Sequence, residues 1–197
     1  MPRSGAQARA RLQEAALDLY AERGYEATTT AEIAARAGVT ERTYFRHFAD
    51  KREVLFDGET ELRDIMAGAI RSAPGTPSPL DLVLEAYRAA IPLFVTGRPV
   101  AERRARVIAT SAALQERAHA KSAALTSAVC VALTDRQIPE ATALLASRVG
   151  AAVFGYAALA WEGAPELDLS ALLEHAAEEL SCLVGALKPA SAPPAPP

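Results

Sequence analysis

Residues 30–48 read TAEIAARAGVTERTYFRHF, and no other stretch of the 197-residue chain restricts its fold as tightly. Helical spacing puts Ile33, Ala34 and Ala37 on one face of a short helix at 31–37. Gly38 can take the left-handed backbone that a tight turn requires, and Thr40 can cap a second helix at 41–48. Two short helices joined by a glycine turn, with small residues where they cross, satisfy the requirements of a helix-turn-helix. Ile33, Val39, Tyr44 and Phe48 can fill its small core. The opposite face of the second helix then presents Glu41, Arg42, Phe45 and Arg46 outward. Such a helix fits the DNA major groove, where its first residues reach base edges. By residue type alone, Arg42 and Arg46 could equally be solvated or paired with Glu41, and His47 could be an ordinary helix residue.

The flanks extend the helical pattern. Leu12, Ala15, Ala16, Leu19 and Tyr20 recur at helical spacing over 8–23, and Gly24 comes next as a stop. Thr29 and Glu32 fit a capping box ahead of the first short helix, and Asp50 and Glu53 fit another, predicting a longer helix to about residue 72. Pro74, Gly75, Pro77 and Pro79 mark the one clear internal loop. Ser78 can cap the helix after that loop, with Pro79 at its first helical position. Further helices are expected at 80–96, 100–112, 114–135, 139–161 and 169–187, with Pro92 kinking the first. No strand pattern or repeat occurs, and the Pro/Ala-rich tail, 188–197, reads as disordered. Alanine dominates and aromatics are only 6%, which favours helix almost everywhere. The fold class expected is all-α with about nine helices: a head at 8–52 holding the helix-turn-helix at about 28–48, and a helical bundle at 53–187.

Net charge is −3, yet residues 1–52 hold 9 Lys/Arg against 7 Asp/Glu. A mildly positive head on an acidic body is compatible with DNA at one end. Cys130 and Cys182 are far apart, which suits a reducing cytoplasm with no disulfide framework or zinc site. Neither a signal peptide nor a membrane span is expected, the longest apolar run, 149–161, being only 13 residues. With histidines only at 47, 119 and 175, no nucleophilic triad, metal-ligand spacing or phosphate loop is recognisable. The chain is therefore expected to be no enzyme and to need no cofactor. A small helical enzyme and an architectural DNA-binding protein without an effector stand as alternatives.

Leu12 to Leu55 resembles the tetracycline-repressor (TetR) family. The resemblance runs through Gly24-Tyr25, the threonine run at 28–30, Ile33-Ala34, Ala37-Gly38-Val39-Thr40, Thr43, His47-Phe48, Lys51 and Leu55. It implies a ligand-responsive regulator, most simply a repressor released from a palindromic double-stranded DNA operator by a small-molecule effector. It further implies a homodimer. By resemblance, Thr29, Thr30, Thr40, Thr43, Phe45, His47 and Lys51 sit at DNA-contacting positions, with Glu41, Arg42 and Arg46 on the recognition helix. Phe45 stands where the family usually has Tyr, and Arg42 where it often has Gly or Pro. The first cannot donate a hydroxyl to phosphate, and the second adds a possible guanine contact.

The C-terminal stretches 103–116, 157–161 and 168–173 resemble regulators related to the mycofactocin-system repressor, which implies a lipophilic or acyl-type effector. Tyr87, Ile91, Phe94, Arg106, Ile108 and Leu125 are the expected pocket residues. Arg98, Arg103, Arg104 and Arg106 form a basic cluster that a solvated face would also explain. Helix 139–161 is rich in small residues and helix 169–187 carries a leucine stripe. The resemblance implies that both pair with their symmetry mates, through Ala146, Gly150, Gly155, Leu172, Leu173 and Leu180.

Overall fold

The computed structural model describes residues 2–164 and 166–186. Leu187 and the tail expected to be disordered lie outside them. Every regular element among the described residues is helical: α1 (Pro2–Arg23), α2 (Thr30–Arg36), α3 (Glu41–His47), a 3-10 turn (Glu53–Phe56), α4 (Glu59–Ser72), α5 (Pro79–Ala109), α6 (Ala112–Asp135), α7 (Glu140–Gly163) and α8 (Leu169–Gly185).

Three boundaries differ from the sequence pattern. The helix predicted to open at Asp50 is interrupted. Asp50 caps the backbone N–H of Arg52 (2.8 Å) and Glu53 (3.0 Å), but the chain makes a 3-10 turn, breaks at Asp57–Gly58 and restarts. Val54, Leu55 and Phe56 are all buried, and three consecutive residues cannot share one face of an α-helix. The reciprocal half of the box is absent, because the Glu53 carboxylate takes Arg117 (2.7 Å) and Lys121 (3.4 Å) instead. The helices expected at 80–96 and 100–112 are one helix, α5, running through Pro92 and Pro99. Each proline removes a single backbone donor, and the Arg98–Glu102 ion pair (2.6 Å) spans Pro99. Finally, α7 is longer than its apolar run. With Glu140, Arg148 and Glu162 as its sole charges, it is long and apolar enough to cross a membrane by length and composition, and a third of that window is buried. One such helix is weak evidence for a membrane, since the core helix of a globular domain meets the same test.

The chain forms two compact units, each discontinuous in sequence: Met1–Ile65 with Pro92–Ala128, and Met66–Ile91 with Val129–Pro197. This division differs from a single cut near residue 52. The core of the first unit joins Leu12, Ala16, Leu19 and Tyr20 of α1 to Ile33 and Ala34 of α2, Tyr44 of α3, Phe48, Leu55 and, from α5 and α6, Val107 and Leu114. In the second unit α7 packs against α8, burying Ala143, Ala146, Val153 and Ala157 with Leu169, Leu173 and Ala176. Gly150 is buried there too. A Cβ on it would stand 2.3 Å from Val83 Cγ1, so α7 and α5 approach at a distance only glycine permits.

Candidate nucleic-acid interface

The helix-turn-helix is assembled by local hydrogen bonds. Thr29 is a full capping box: its hydroxyl accepts from Glu32 N–H (3.3 Å), and Glu32 accepts from Thr29 N–H (2.9 Å). These bonds, the backbone one first, hold the Glu32 carboxyl below its ordinary pKa. α2 ends with Gly38 at φ 68°, while Val39 N–H reaches Ala34 O (3.0 Å) and Gly38 N–H reaches Ala35 O (3.1 Å), the paired bonds of a left-handed helix stop. Thr40 then accepts from Thr43 N–H (3.2 Å) to open α3.

α3 is oriented by one buried residue. Tyr44 is fully enclosed, stacks obliquely against Phe48 (5.6 Å) and donates its hydroxyl to Asp50 O at 3.0 Å. Burial raises its phenol pKa, so it stays a neutral donor. With Tyr44 inward, Glu41, Arg42, Phe45 and Arg46 are exposed; Phe45 is 52% exposed, unusual for a phenylalanine with no partner surface. Thr43 is half-buried, its hydroxyl 3.0 Å from that of Thr40. Thr30 donates to Glu41 at 2.5 Å, drawing that carboxylate toward α2 and away from Arg42.

His47 and Lys51 have a different setting. Nε2 of His47 is buried with no hydrogen-bond partner. Burial first, then Arg46 and Arg9, lower the ring's pKa. The Lys51 ammonium is turned inward, donating to the carbonyls of Tyr25 (3.0 Å), Glu26 (3.4 Å) and Thr28 (3.4 Å) and lying 4.2 Å from the Tyr25 ring centroid. Tyr20 donates to Lys51 O at 2.5 Å. Lys51 thus fastens the α1–α2 connection that presents Thr29 and Thr30. Its short-range sequence context carried no sign of this, because its partners lie 23–26 residues upstream.

Nor did the sequence signal the ion pairs beneath the head. Arg9 of α1 forks onto Asp57 with both contacts at 2.5 Å and lies over the Phe48 ring at 4.7 Å. Burial alone would raise the Asp57 pKa, but the Arg9 hydrogen bonds and charge outweigh it and hold the carboxyl below its usual range. Lys121 of α6 contacts Glu59 as well as Glu53. An open groove of about 840 Å³ runs along Arg9, His47, Phe48, Asp57, Arg63 and Lys121.

The six expected pocket residues are divided between the units. In the second, Tyr87 is buried and stacked on Phe154 (4.4 Å, 12°), its pKa pushed up to about 12 by burial, and Ile91 is half-buried. In the first, Phe94, Ile108 and Leu125 are half-buried and Arg106 is exposed. The expected dimer residues also divide. Ala146, Gly150 and Leu173 face the chain's own core, where Val83 leaves Gly150 no space for a partner. Leu172 and Leu180 are half-buried, and nothing lies within 4 Å of a Cβ built on Gly155. Large exposed apolar residues sit elsewhere on the two helices: Leu145, Tyr156 and Leu159 of α7, Leu183 and Val184 of α8.

Comparison with known proteins decides what this head is. Residues 12–57 match the family of bacterial regulatory proteins of the tetR type, and residues 77–183 match the MftR C-terminal domain. The chain belongs to the TetR family. Its relatives are transcriptional regulators, not enzymes. It is 37% identical over 76 residues to the HTH-type transcriptional regulator TcmR of Streptomyces glaucescens, a match covering 39% of this chain and 34% of TcmR. The chain thus spans about a third of that curated relative. Among solved structures, Thermus thermophilus FadR, a TetR-family transcriptional repressor in complex with lauroyl-CoA, superposes with a TM-score of 0.57 at 24% identity, covering 95% of this chain and 100% of FadR. SmeT in complex with triclosan, the repressor of a Stenotrophomonas maltophilia multidrug efflux pump, superposes at 0.59 with 20% identity, covering 96% of this chain and 99% of SmeT. At these identities the likeness speaks for the fold alone.

Proposed function

We propose that this TetR-family protein is a cytoplasmic repressor that binds a palindromic operator as a homodimer and is released by a small, lipophilic or acyl-type effector. The observation that carries the reading is the outward face of α3. Arg42, Phe45 and Arg46 are exposed together on a helix whose orientation is held by buried Tyr44. In this reading Arg42 reads a base edge, Phe45 touches a sugar or a thymine methyl, and Thr29, Thr30, Thr40, Thr43, Arg46 and His47 meet the backbone. The head at 8–52 binds DNA and the body at 53–187 binds effector and partner.

A single recognition helix reads too few base pairs to be selective, so two heads on a two-fold axis are needed. The partner surface proposed is the exposed face of α7 and α8. Leu145, Tyr156 and Leu159 recur at helical spacing on α7, with Leu183 and Val184 exposed on α8. Lauroyl-CoA bound to FadR motivates the effector class. Selecting binding sites from random DNA tests the whole reading: it should yield a palindrome with half-sites about one helical turn apart or somewhat more. Recovery of no sequence preference would defeat it.

A further inference from the structure

α5 carries arginines at 98, 103, 104 and 106, and the fold treats them unequally. Arg98 bonds Glu102 at 2.6 Å. Arg103 is forked between Glu14 (2.6 Å) and Asp18 (2.5 Å) of α1. Arg106 is exposed. Arg104 has no carboxylate partner among the described residues. Its one hydrogen bond runs from an Nη to the carbonyl of Leu55, in the 3-10 turn, at the long distance of 3.4 Å. A guanidinium offers five donors in a flat fork that matches a carboxylate or phosphate.

The surroundings make this odd. Leu55 is buried, and Val107 and Ile108, beside Arg104 on the next turn of α5, pack into the core of the first unit. Burial presses the Arg104 pKa down, whereas hydrogen bonding to Glu14 raises that of Arg103. Yet the unused donors of Arg104 are not sealed. Among the described residues, the buried side-chain nitrogen or oxygen lacking a partner is Nε2 of His47. A half-buried cation with one long hydrogen bond, whose other donors still reach water, is open to an anionic partner. An unpaired charge in that position is unfavourable for folding alone and gains its partner when an anion binds.

We propose that Arg104 anchors an oxyanion, the carboxylate or phosphate of the effector, beside the turn that closes the DNA-binding head. The proposal rests on the effector-responsive reading above and names the chemistry its ligand must carry. The guanidinium that holds the anion is the one that reaches the Leu55 carbonyl, which ties ligand binding to the end of the head. Half-buried Ile108, one turn along α5, suits an apolar body on that ligand.

Three probes with the same twelve-carbon chain separate the possibilities: laurate for a carboxylate, lauroyl-CoA for phosphates and dodecanol for neither. Calorimetric titration of the full-length chain should show laurate or lauroyl-CoA binding at least tenfold tighter than dodecanol, and which one names the anion's source. Arg104→Met should erase that preference, leave dodecanol binding unchanged, keep operator binding and unfold at or above the wild-type temperature. Arg104→Lys, which keeps the charge and loses the fork, should fall between. Arg103→Met should leave the anion preference intact. The proposal is overturned if Arg104→Met binds the anionic probes as wild type does, or unfolds well below wild type, the mark of a structural arginine. It is also overturned if the wild-type chain binds its operator but prefers neither anion. Failure of the wild-type chain to bind any operator would instead sink the function on which the proposal rests.

Discussion

The head and the α7–α8 pair expose opposite chemistry. Phe45 apart, the large outward side chains of α2, α3 and their caps are hydroxyls, carboxylates and arginines, and many are tied by caps: Thr29 to Glu32, Thr30 to Glu41, Thr40 to Thr43. On α7 and α8 they are Leu145, Tyr156, Leu159 and Leu183, which are 59–70% exposed. Water tolerates the first surface and is poorly matched to the second. A polar, pre-ordered face suits a hydrated polyanion, whereas a broad apolar face in a folded chain suits another protein surface. The same contrast holds inside each region. Lys51 and Gly150 both read as contact residues by sequence, and each also meets the chain itself, Lys51 at the Tyr25 carbonyl and Gly150 at Val83.

The largest expected effect tests the apolar face. Leu159→Glu should leave helix content intact, turn a sedimenting dimer into a monomer and weaken operator binding by a factor of about 100 or more, since the second head loses its tethered advantage. A Leu159→Glu chain that remains dimeric would remove this surface from the interface. Gly150→Ala comes next. Its Cβ would meet Val83, so it should cost about 1–3 kcal/mol of folding stability in denaturant titrations. Gly155→Ala meets nothing within 4 Å and should be neutral or gain up to about 1 kcal/mol from helix propensity. Equal losses at both would erase the distinction between inward and outward faces of α7.

Within the head, Arg42→Ala should lose about 1–3 kcal/mol of discrimination at one base pair with no change in melting temperature. Lys51→Met should do the reverse in kind. Three carbonyls lose their donor, so stability falls by about 1–3 kcal/mol while base preference is unchanged. Binding to single-base operator variants, set beside thermal melts, separates the two. The smallest effect is in acid. The folded-state pKa of Asp57 is lowered, so its contribution is complete above the ordinary value of 3.8 and is lost as pH falls through the lower folded one. Arg9→Met should abolish that part of the acid dependence, and an unchanged profile would show the pair to be idle.

Much of this was legible without coordinates because its causes lie within a few residues of each other. The caps at Thr29 and Thr40, the glycine turn at Gly38, the inward Tyr44 and Phe48, and the outward Arg42 and Arg46 all arise from helical period and short-range hydrogen bonding. Those positions point to the family that the matches over residues 12–57 and 77–183 show. The partners of long polar side chains were not legible, because they lie far away in sequence. Arg9 meets Asp57 across 48 residues, Arg117 meets Glu53 across 64, and Arg103 meets Glu14 across 89. Which of four neighbouring arginines meet a carboxylate, and which of two glycines faces Val83, depends on how helices settle against one another. Periodicity assigns a residue to a face of its own helix, and only tertiary packing decides what that face meets.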